Sequence, residues 1–484
     1  MKLYAAELNF REIAQELGIP ETFPPALHEG AKHVSDRRVS RRDMRHVPFV
    51  TIDPPGSMDL DQAVFIEKVD AGWRVFYAIA DVGGLLDPHS EVALEALRRG
   101  QTIYLPDEPT RLHPAEFSEG AASLLPDQDR VALVWDVIVG DDGEAQSADI
   151  YPAHIRSVAR LEYMEVQRSI DAGEPHPSIA LLPDVGRARQ GSALRRNAIN
   201  LRLPSQSVVP TDDGRWELRL DDRPPVMDWN SEMSLLAGMM AGEMMAEAGI
   251  GVMRSLMPAS KRDTREFTVA AHALGFDLGT GGSGSASGAG AEVSIGEIAQ
   301  FLAGVDASTS RGMAVMKDAA RLLRGSGYVR VGTTDEMPVH AGVGGSYAHV
   351  TAPLRRLIDR FGLEYCLAIA AQRRGETASI EVPAWVDEQI DQAIDSMKSS
   401  SALASNADRA CLNKTEAVVL EPWVGHTFDA AVLHNKGEKS EVFVENPPVF
   451  ANCVGAPEEG TQQLVSLIRA VPAELDVEFA WPAD

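Results

Sequence analysis

The sequence predicts an α+β protein of several domains, with a small N-terminal helix-turn-helix-like unit, a central α/β domain and a C-terminal OB-fold β-barrel. The chain has 484 residues, of which 44% are hydrophobic, which is enough for about two to four domains with a sizeable core. Strand-like segments begin near residue 47, helical segments follow them, and short strand-like runs return at the end. We place the three units at residues 1–45, 46–410 and 411–484.

The first 45 residues are helical in character. An apolar stripe at helical spacing consists of Leu8, Ile13, Leu17 and Ile19. The segment Gly18–Pro20 should end this helix, and a second short helix is predicted over Pro25–Lys32. Residues 37–45 then contain five arginines and one aspartate, a local charge of +4. This basic segment is either a solvated face or a contact for RNA.

A sheet should begin after residue 46. The runs VPFVTI (47–52), AVFIEKV (63–69) and WRVFYAIADV (73–82) are short and β-branched, and they predict three strands. A helix is predicted over residues 92–100, where Gly100 ends it, and a long apolar strand over residues 130–139.

The middle of the chain should be mainly helical. Residues 229–255 are apolar on nearly every side, which predicts a buried core helix. Its methionines are either core filler or an adaptable binding face. Residues 279–291 are rich in Gly, Ser and Ala and predict an exposed loop, without the GxxxxGK[ST] order of a phosphate-binding loop. Helical texture returns over about 353–400.

From about residue 413 the pattern becomes β-like. The runs AVVL, FDAAVL, EVFVE and QLVSLIRAV are separated by Gly, Asn and Pro turns, and they suggest a small OB-like barrel of five short strands. Residues 413–484 contain four basic and twelve acidic side chains, a local charge of −8. That charge is unfavourable for strong RNA binding by the barrel.

Composition excludes several classes of protein. The net charge of −26 argues against a protein that coats nucleic acid non-specifically. No run approaches the ~18 apolar residues of a membrane span, and Glu7 and Glu12 interrupt the stretch that a signal peptide needs. Cys366, Cys411 and Cys453 lie far apart without CxxC spacing, so we expect neither disulfides nor a zinc knuckle, and a cytoplasmic location.

The sharpest chemical signal is the sequence TIDPPGSMDLDQA at residues 51–63. A predicted strand ends at Asp53, a Pro/Pro/Gly/Ser loop follows, and Asp59 and Asp61 stand at the mouth of the next strand. In extended backbone, side chains 59 and 61 point to the same side. Three carboxylates converging on one loop suit Mg²⁺ or Mn²⁺, which prefer hard oxygen ligands. The alternative is an Asx-rich turn that caps backbone amides.

A second signal is the sequence YAHVTAPLRRLID at residues 347–359. Pro353 should begin a helix, which places Arg355 and Arg356 near the helix N-terminus. Cations there oppose the helix dipole, so stability does not explain them. A phosphate-facing role does, because arginine forks and helix N-termini both bind phosphate. The alternative is an ion pair with an acidic side chain.

Together the two segments resemble the ribonuclease II / RNase R family of 3′→5′ exoribonucleases. The first is similar to the family's aspartate cluster, and the second to its FTSPIRRY segment with a downstream aspartate. Ile79–Val82, Tyr104–Pro106 and Ser123–Pro126 also fall in the family's order. The resemblance runs from about Val47 to Arg409 and more loosely into the last part of the chain. It implies an RNB-type catalytic domain followed by an OB-type RNA-binding module.

The resemblance also implies roles for the residues of the two segments. Asp53, Asp59 and Asp61 match the Mg²⁺-site carboxylates, and Asp61 is a candidate catalytic residue. Arg355 matches the arginine that contacts the scissile phosphate and stabilises charge in the transition state. Arg356, beside it, is a candidate for the same task.

Four further residues are candidate RNA contacts. Tyr104 matches the family's tyrosine that clamps the 3′-terminal nucleotides by stacking, a contact that every base permits. Asp408 stands where the family places a glutamate near the terminal nucleotide. Tyr347 and His349, at the start of the second segment, complete this set.

The chain departs from the family pattern in ways that matter. The fourth acidic position is Gln62, a possible metal ligand through its neutral amide oxygen, so we expect weaker affinity for one ion or a preference for Mn²⁺. Ala352 and Leu357 replace the Ser before the Pro and the Tyr after the two arginines. The N-terminal unit is too short for the family's tandem cold-shock barrels, and the arginines of residues 37–45 are a candidate replacement.

These observations predict a metal-dependent hydrolytic exoribonuclease that degrades single-stranded RNA from the 3′ end to nucleoside 5′-monophosphates. Mg²⁺ is the expected cofactor, with Mn²⁺ as an alternative. We expect no nucleotide cofactor and no membrane, and we favour a monomer. The main alternative is a catalytically weakened RNA-binding or regulatory protein on the same scaffold. A hydrolase that uses two carboxylates as acid and base is a more distant one, and insensitivity to chelator would reveal it.

Overall fold

A computed structural model of the chain describes residues 4–5, 8–20, 22–201, 203, 205–221, 223–278, 293–333 and 337–483. The helices are α1 (Arg11–Glu16), α2 (Pro25–Lys32), α3 (Val82–Leu85), α4 (Glu91–Arg99), α5 (Tyr163–Asp171), α6 (Leu182–Arg195), α7 (Pro225–Ala248), α8 (Lys261–Ala273), α9 (Ile295–Ala303), α10 (Ser310–Ala319), α11 (Leu357–Arg373) and α12 (Ala384–Leu420). The strands are β1 (Arg42–Asp43), β2 (Phe49–Asp53), β3 (Gln62–Val69), β4 (Gly72–Ala80), β5 (Asp129–Val139), β6 (Ala145–Glu162), β7 (Gln206–Pro210), β8 (Trp216–Leu220), β9 (Gly251–Ser255), β10 (Gly327–Val331), β11 (Thr427–Lys436), β12 (Lys439–Val444), β13 (Val449–Val454), β14 (Gln462–Val471) and β15 (Asp476–Ala480). The predicted loop at 279–291 lies outside the described residues.

The N-terminal unit contains the two expected helices. The first ends in a turn at Gly18, whose positive φ of 68° suits glycine, and α2 has the predicted bounds. The unit does not stand apart from the rest of the protein. Phe10 and Ile13 pack against Cys411 of α12, and α2 packs against residues 116–121. The long helix α12 therefore connects the N-terminal unit to the remainder of the core.

The central sheet has the strand order β1-β6-β2-β3-β4-β5, and β2 to β5 are the four runs predicted from the sequence. Strands β3, β4 and β5 are antiparallel neighbours. The long strand β6 pairs with β5 through its first part and, in parallel, with β2 through its last residues. Strand β6 is therefore hydrogen-bonded to both β2 and β5, the first and the last strand of that series. As a result, Asp53 at the end of β2 lies opposite Glu162 at the end of β6.

Helix α7 is the expected buried helix, but it is shorter than predicted. It ends at Ala248, because Gly249 adopts the left-handed conformation, and Gly251–Ser255 forms a strand paired with β10. The prediction of a helix up to residue 255 is therefore wrong. Its methionines are core filler, since all of the following are buried: Met233, Met239, Met240, Met244 and Met245. Within the described ranges, we find no helix long and apolar enough to cross a membrane.

The segment before α11 is a turn, so the prediction that Pro353 begins a helix is wrong. The helix starts four residues later. Two buried carboxylates hold the turn instead. Asp61 accepts a hydrogen bond from the backbone N–H of Leu354 (2.7 Å), and Asp359 accepts one from that of Ala352 (2.7 Å). These side-chain bonds satisfy backbone groups that would otherwise be buried without partners.

The last part of the chain is a closed five-stranded barrel with the order β11-β12-β13-β15-β14, which confirms the expected OB-type architecture. The predicted strand AVVL (417–420) is wrong, because these residues form the last turn of α12. There Ala417 and Leu420 pack into the barrel core, so the apolar run forms the buried face of the helix end. Helix α12 crosses residue 410, where we placed a domain boundary, and the division into three units stays a prediction.

Candidate active site

The aspartate-rich segment forms a loop between two neighbouring strands. Asp53 is the last residue of β2, and β3 begins directly after Asp61. The loop is pinned by Leu60, which is fully buried and whose backbone N–H donates to the Ser123 hydroxyl (3.0 Å). The backbone N–H of Leu124 in turn donates to the carbonyl of Leu60 (3.0 Å). The Ser123–Pro126 motif thus supports the loop that carries the three aspartates.

Burial and mutual repulsion perturb the three carboxylates. Burial, followed by the charge of Asp59, raises the pKa of Asp53 to about 6. Burial also raises the pKa of Asp59, and it raises that of Asp61 well above the usual range. One oxygen of Asp53, Oδ2, is buried without a hydrogen-bond partner. This donor set fits a divalent cation, because a cation would offset both the repulsion and the lost solvation.

The convergence of the three carboxylates is looser than predicted. Among the described residues, the one trio of potential ligands whose ligand atoms all lie within 4.8 Å of one another is elsewhere, in the group Asp318, His434 and Glu459. A looser arrangement still suits Mg²⁺, which commonly binds through one or two carboxylates and keeps positions for water and substrate phosphate.

Arg355 brings a positive charge to this loop. Its Nε lies 3.6 Å from Oδ2 of Asp61, and 41% of the side chain is exposed. Asp61 is only 4% exposed, and its other oxygen accepts the hydrogen bond from Leu354 described above. The charge of Arg355 also lowers the pKa of Asp53 and Asp59 in opposition to burial. The guanidinium therefore stands beside all three acids and remains accessible from solvent.

Arg356 points elsewhere, which corrects the prediction that it acts on substrate. Its Nε and Nη2 donate to the two oxygens of Asp359, at 2.9 Å and 2.7 Å. Asp359 is fully buried, and the ion pair holds its pKa below the usual range in spite of burial. The acidic partner considered as an alternative is thus Asp359, three residues later in the first turn of α11. Arg356 fixes the turn that presents Arg355.

Gln62 also uses its side chain within the protein. Its amide oxygen accepts a hydrogen bond from the Tyr77 hydroxyl (2.6 Å), and its amide nitrogen donates to the carbonyl of Thr351 (2.7 Å). This geometry corrects the expectation that Gln62 is a metal ligand. The residue links β3 and β4 to the turn that carries Arg355.

Tyr104 has the exposure that a stacking residue needs. It is 54% exposed, and the nearby backbone is tied to the arginine-bearing turn, because the N–H of Thr102 donates to the carbonyl of Arg355 (3.0 Å). Desolvation, together with the charge of Asp59, raises the pKa of the Tyr104 hydroxyl. The ring therefore stands beside the acidic loop.

Tyr347 is a buried core residue and His349 is half-buried beside it, which corrects their assignment as RNA contacts. Tyr347 is 8% exposed, and its ring contacts His349 edge-on with centroids 5.6 Å apart. Nδ1 of His349 hydrogen-bonds with the Tyr328 hydroxyl (2.7 Å). Burial and Arg356 lower the pKa of His349 well below its usual range, so the ring is neutral.

Asp408 lies on α12, on the solvent side. Its neighbour Ala407 is buried in a small cluster with Ile103, one residue before Tyr104. Asp408 itself is exposed, and its charged neighbours are Arg409 and Asp221, so the geometry does not connect it to the three acids.

The end of β6 adds residues that the sequence analysis missed. Arg160 lies opposite Thr51 in the parallel pairing, and its charge lowers the pKa of Asp53 in opposition to burial. The Tyr163 hydroxyl, which accepts a hydrogen bond from Asn230 (3.2 Å), has a pKa raised by burial and by the charge of Asp53. Only the β2–β6 pairing brings these residues to the site, and no motif in the sequence marks that pairing.

The basic segment 37–45 is engaged within the protein. Arg38 donates to Asp81 (2.9 Å) and Glu364 (2.7 Å), and Arg41 donates to Asp81 (2.8 Å) and Asp36 (2.7 Å). Burial raises the pKa of Asp81, but the two arginines outweigh it and hold the pKa below the usual value. This corrects the idea that these two arginines serve as an RNA contact. They fasten the segment to the catalytic core.

Comparisons with known proteins support the resemblance. A family model of the RNB domain matches residues 41–361, and a model of the RNase II-type exonuclease C-terminal S1 domain matches residues 426–481. Ribonuclease R of Vibrio parahaemolyticus is 36% identical over 162 residues, which are 32% of this chain and 19% of that protein. The matching segment thus spans about a fifth of that relative's length.

Solved structures share the fold. Mycoplasma genitalium RNase R in complex with ribose-methylated single-stranded RNA matches with a TM-score of 0.83 over 98% of this chain and 77% of that chain, at 18% identity. Yeast Ssd1, described as a pseudonuclease, matches with a TM-score of 0.65 over 93% of this chain and 54% of that chain, at 14% identity. At these identities the likeness concerns the fold alone. Because the RNB-domain match covers well over half of the sequence, this chain belongs to the RNB family.

Proposed function

We propose that this protein is a metal-dependent 3′→5′ exoribonuclease that hydrolyses single-stranded RNA to nucleoside 5′-monophosphates. The observation that carries the proposal is the loop of three buried or half-buried carboxylates at Asp53, Asp59 and Asp61, next to the half-exposed Arg355. Their raised pKa values mean that the protein holds these acids without full neutralisation. Groups arranged in this way are typical of functional sites rather than of stable cores.

The proposed chemistry assigns a task to each residue. Asp53, Asp59 and Asp61 would hold Mg²⁺ or Mn²⁺, which supplies an activated water and stabilises the charge of the scissile phosphodiester. Arg355 would contact the non-bridging phosphoryl oxygens, whose negative charge grows in the transition state. Its accessibility allows a phosphate to reach it, while its proximity to Asp61 keeps it oriented.

Other residues would position the RNA. Tyr104 would stack on the terminal bases and hold the 3′ end beside the acidic loop. Asp408, at the position where the family has a glutamate, would contact the terminal nucleotide. Both contacts are sequence-independent, and they fit an enzyme that shortens RNA one nucleotide at a time.

The remaining parts of the proposal concern partners and setting. We propose single-stranded RNA as the partner, a monomeric enzyme without a nucleotide cofactor, and a cytoplasmic location. The three cysteines, Cys366, Cys411 and Cys453, are free and buried, which suits a reducing compartment.

The direct test is incubation of the purified protein with a 5′-labelled poly(A) oligonucleotide in Mg²⁺, in Mn²⁺ and in EDTA. We expect a ladder that shortens progressively from the 3′ end with either metal and stops in EDTA. The released nucleotide, which carries no label, should co-elute with adenosine 5′-monophosphate when it is followed by absorbance on a chromatography column. Intact RNA with both metals would overturn the proposal, and cleavage unchanged by EDTA would overturn its metal dependence.

A second candidate function is a catalytically weakened RNA-binding protein. The geometry of Gln62 favours it, because the fourth acidic position of the family is replaced by an amide committed to Tyr77 and Thr351. The same assay separates the two candidates, since a binding protein would shift the labelled RNA on a native gel and leave it uncut.

A further inference from the structure

A second group of potential metal ligands lies far along the chain from the acidic loop, where helix α10 meets the barrel. It consists of Asp318 on α10, His434 on β11 and Glu459 in the β13–β14 connection. Each offers one ligand atom, and the three atoms all lie within 4.8 Å of one another. A cleft of about 850 Å³, lined by Asp318 and His434 among others, gives access from solvent.

The buried side chain of Asp318 is the main evidence for a bound ligand at this group. Its side chain is only 3% exposed, yet neither carboxylate oxygen has a hydrogen-bond partner. The nearest polar atoms are Nδ1 of His434, at 3.4 Å, and a guanidinium nitrogen of Arg321, at 3.6 Å. Burial raises the pKa of this carboxyl. A buried carboxylate without hydrogen bonds is costly, and a bound cation is one of the few partners that remove the cost.

A β-bulge aims His434 at α10. The β11–β12 register shifts between Val432 and His434, so Leu433 is the extra residue. Val432 is fully buried and lies opposite Val442 of the barrel core, and regular alternation would send His434 to the same side. The bulge instead places it on the outer side with Leu433, which packs against Met313 of α10. Bulges commonly re-aim a side chain towards a functional position.

Glu459 is held in place before any ligand arrives. Its Oε1 accepts a hydrogen bond from the backbone N–H of Asn435, next to His434. The Asn435 side chain donates to the carbonyl of Pro457 (2.8 Å), and the N–H of Gly460 donates to the carbonyl of Val432 (2.8 Å). The connection is therefore fastened to β11 on both sides of Glu459, and Oε1 lies 3.4 Å from Nδ1 of His434.

We propose that Asp318, His434 and Glu459 form a second metal site, which takes a borderline transition-metal cation of the Zn²⁺ type with water as a further ligand. One imidazole nitrogen and two carboxylate oxygens suit Zn²⁺, whereas the all-oxygen set of the acidic loop suits Mg²⁺. The site lies between an α-helix of the catalytic region and two elements of the barrel. Bound metal would therefore clamp the barrel onto α10.

Arg321 must give way for this site to fill. One of its Nη2 protons is directed at Nε2 of His434, at 2.5 Å, so that the neutral ring carries its proton on Nδ1. Binding through Nδ1 moves that proton to Nε2, and the guanidinium then leaves for solvent or for the second oxygen of Asp318. The Arg321 side chain is 39% exposed, which allows this movement. No net proton is released by this tautomer change.

The test is a Zn²⁺ titration of the full chain by calorimetry in excess Mg²⁺, which occupies the acidic loop. We expect one Zn²⁺ per chain, with affinity at least about 10- to 100-fold weaker in His434→Gln and in Asp318→Asn. His426→Gln is the matched control, because His426 is an exposed histidine of the same barrel, and it should bind as wild type does. Zn²⁺ should also raise the midpoint of thermal unfolding of the wild type and of the control.

Two results would overturn the proposal. One is a wild-type protein that takes up no Zn²⁺ above the Mg²⁺ background, and the other is a His434→Gln variant with wild-type affinity. Asp318→Asn guards against misfolding, because it removes a buried charge that has no hydrogen bond and should leave the metal-free protein at least as stable. Substituted Co²⁺ adds a readout, since visible bands of four-coordinate Co²⁺ should appear in wild type and vanish in both variants.

Discussion

Two regions of the protein bury carboxylates, and they treat them in opposite ways. In the network around Asp81 and Glu364, Arg38 and Arg41 supply direct hydrogen-bonded ion pairs, and the pKa of Asp81 falls below its usual value. In the loop around Asp53, burial and the charge of Asp59 outweigh the nearby arginines, and the pKa of Asp53 rises. The first arrangement stabilises the fold. The second keeps charge available for a cation, at a cost in stability, which is what a metal-dependent active site requires.

The largest expected effect is on cleavage in Asp61→Asn. Loss of this charge from the loop should lower the rate of RNA shortening by about 1,000-fold or more while RNA binding persists. The asparagine oxygen can still accept the hydrogen bond from Leu354, so the loop should stay folded. Rate is measured on labelled poly(A) and binding by gel shift. Asp70→Asn, at an exposed turn of the same sheet, is the control and should cleave normally.

Arg355 and Arg356 are adjacent, but the first is accessible and the second is paired with Asp359, so their substitutions should have different effects. Arg355→Ala should lower the cleavage rate by about 100-fold with little change in stability, because its side chain is accessible and would contact the phosphate in the proposed mechanism. Arg356→Ala should act through the fold, since it leaves Asp359 buried without its partner, at a cost of about 3–5 kcal/mol. The cleavage rate and the free energy of unfolding, measured for both variants, test this difference. Equal catalytic losses with equal stabilities would show that the two arginines share one task.

The ion-pair network is tested by Asp81→Asn. We expect a loss of about 3–5 kcal/mol in the free energy of unfolding, because two buried guanidinium groups lose their shared partner. Asp43→Asn removes an exposed pair with Arg45, which solvent screens, and should leave the free energy of unfolding nearly unchanged. Urea unfolding measures both. A loss of cleavage in an Asp81→Asn protein that is still folded at the assay temperature would contradict the assignment of this network to stability.

The pH dependence of stability should have opposite signs in the two regions. The pKa of Asp53 is raised to about 6 in the folded state, so its protonated form favours folding, and this stabilisation is lost as pH rises from about 4 through 6. The lowered pKa of Asp81 stabilises the fold at neutral pH, and this contribution is lost as pH falls through the folded-state value. In chelator, Asp53→Asn should exceed wild type in stability by about 1–3 kcal/mol at pH 8 and show no such gain at pH 4.

The smallest effect concerns the departure at Gln62. Gln62→Glu adds a charge near the acidic loop and removes the donor to Thr351, so we expect a loss of about 1 kcal/mol in stability. The same change should lower the Mg²⁺ concentration for half-maximal cleavage a few-fold, whereas wild type should show the preference for Mn²⁺. Tyr77→Phe is the control, because it removes the other hydrogen bond of the Gln62 side chain, the one from the Tyr77 hydroxyl, without adding charge. Saturation of wild-type cleavage at a low Mg²⁺ concentration would contradict the expected weak binding of the metal.

Much of this organisation could be read from the sequence because it is local. The strand–loop–strand around Asp53 and Asp61 follows from β-branched runs and a Pro/Gly turn, and Arg355 lies close to Asp61 as the motif implies. The errors arise where side-chain partners decide. Arg356 pairs with Asp359, three residues later, an alternative that the spacing left open and only the geometry selects. The AVVL run is helical because a barrel core covers it, and that core is not visible from residue spacing.

Residues contributed by distant strands were also beyond the sequence. Arg160 and Tyr163 come to the site only because the end of β6 pairs with β2, more than a hundred residues away. Likewise, the basic segment around Arg38 and Arg41 carries a charge that suits RNA, and only the fold shows that Asp81 and Glu364 neutralise it. Local charge indicates a need for acidic partners and leaves open whether these lie inside or outside the molecule.

The most direct test of the central claim is a Mn²⁺ titration, followed by electron paramagnetic resonance of the free ion, on wild type, Asp53→Asn and Asp81→Asn. If unpaired carboxylates hold the catalytic cation, Asp53→Asn should lose Mn²⁺ that the wild type binds, and folded Asp81→Asn should bind as much as wild type. Equal Mn²⁺ binding by wild type and Asp53→Asn would contradict the account, because the acidic loop would then not be where the cation is held.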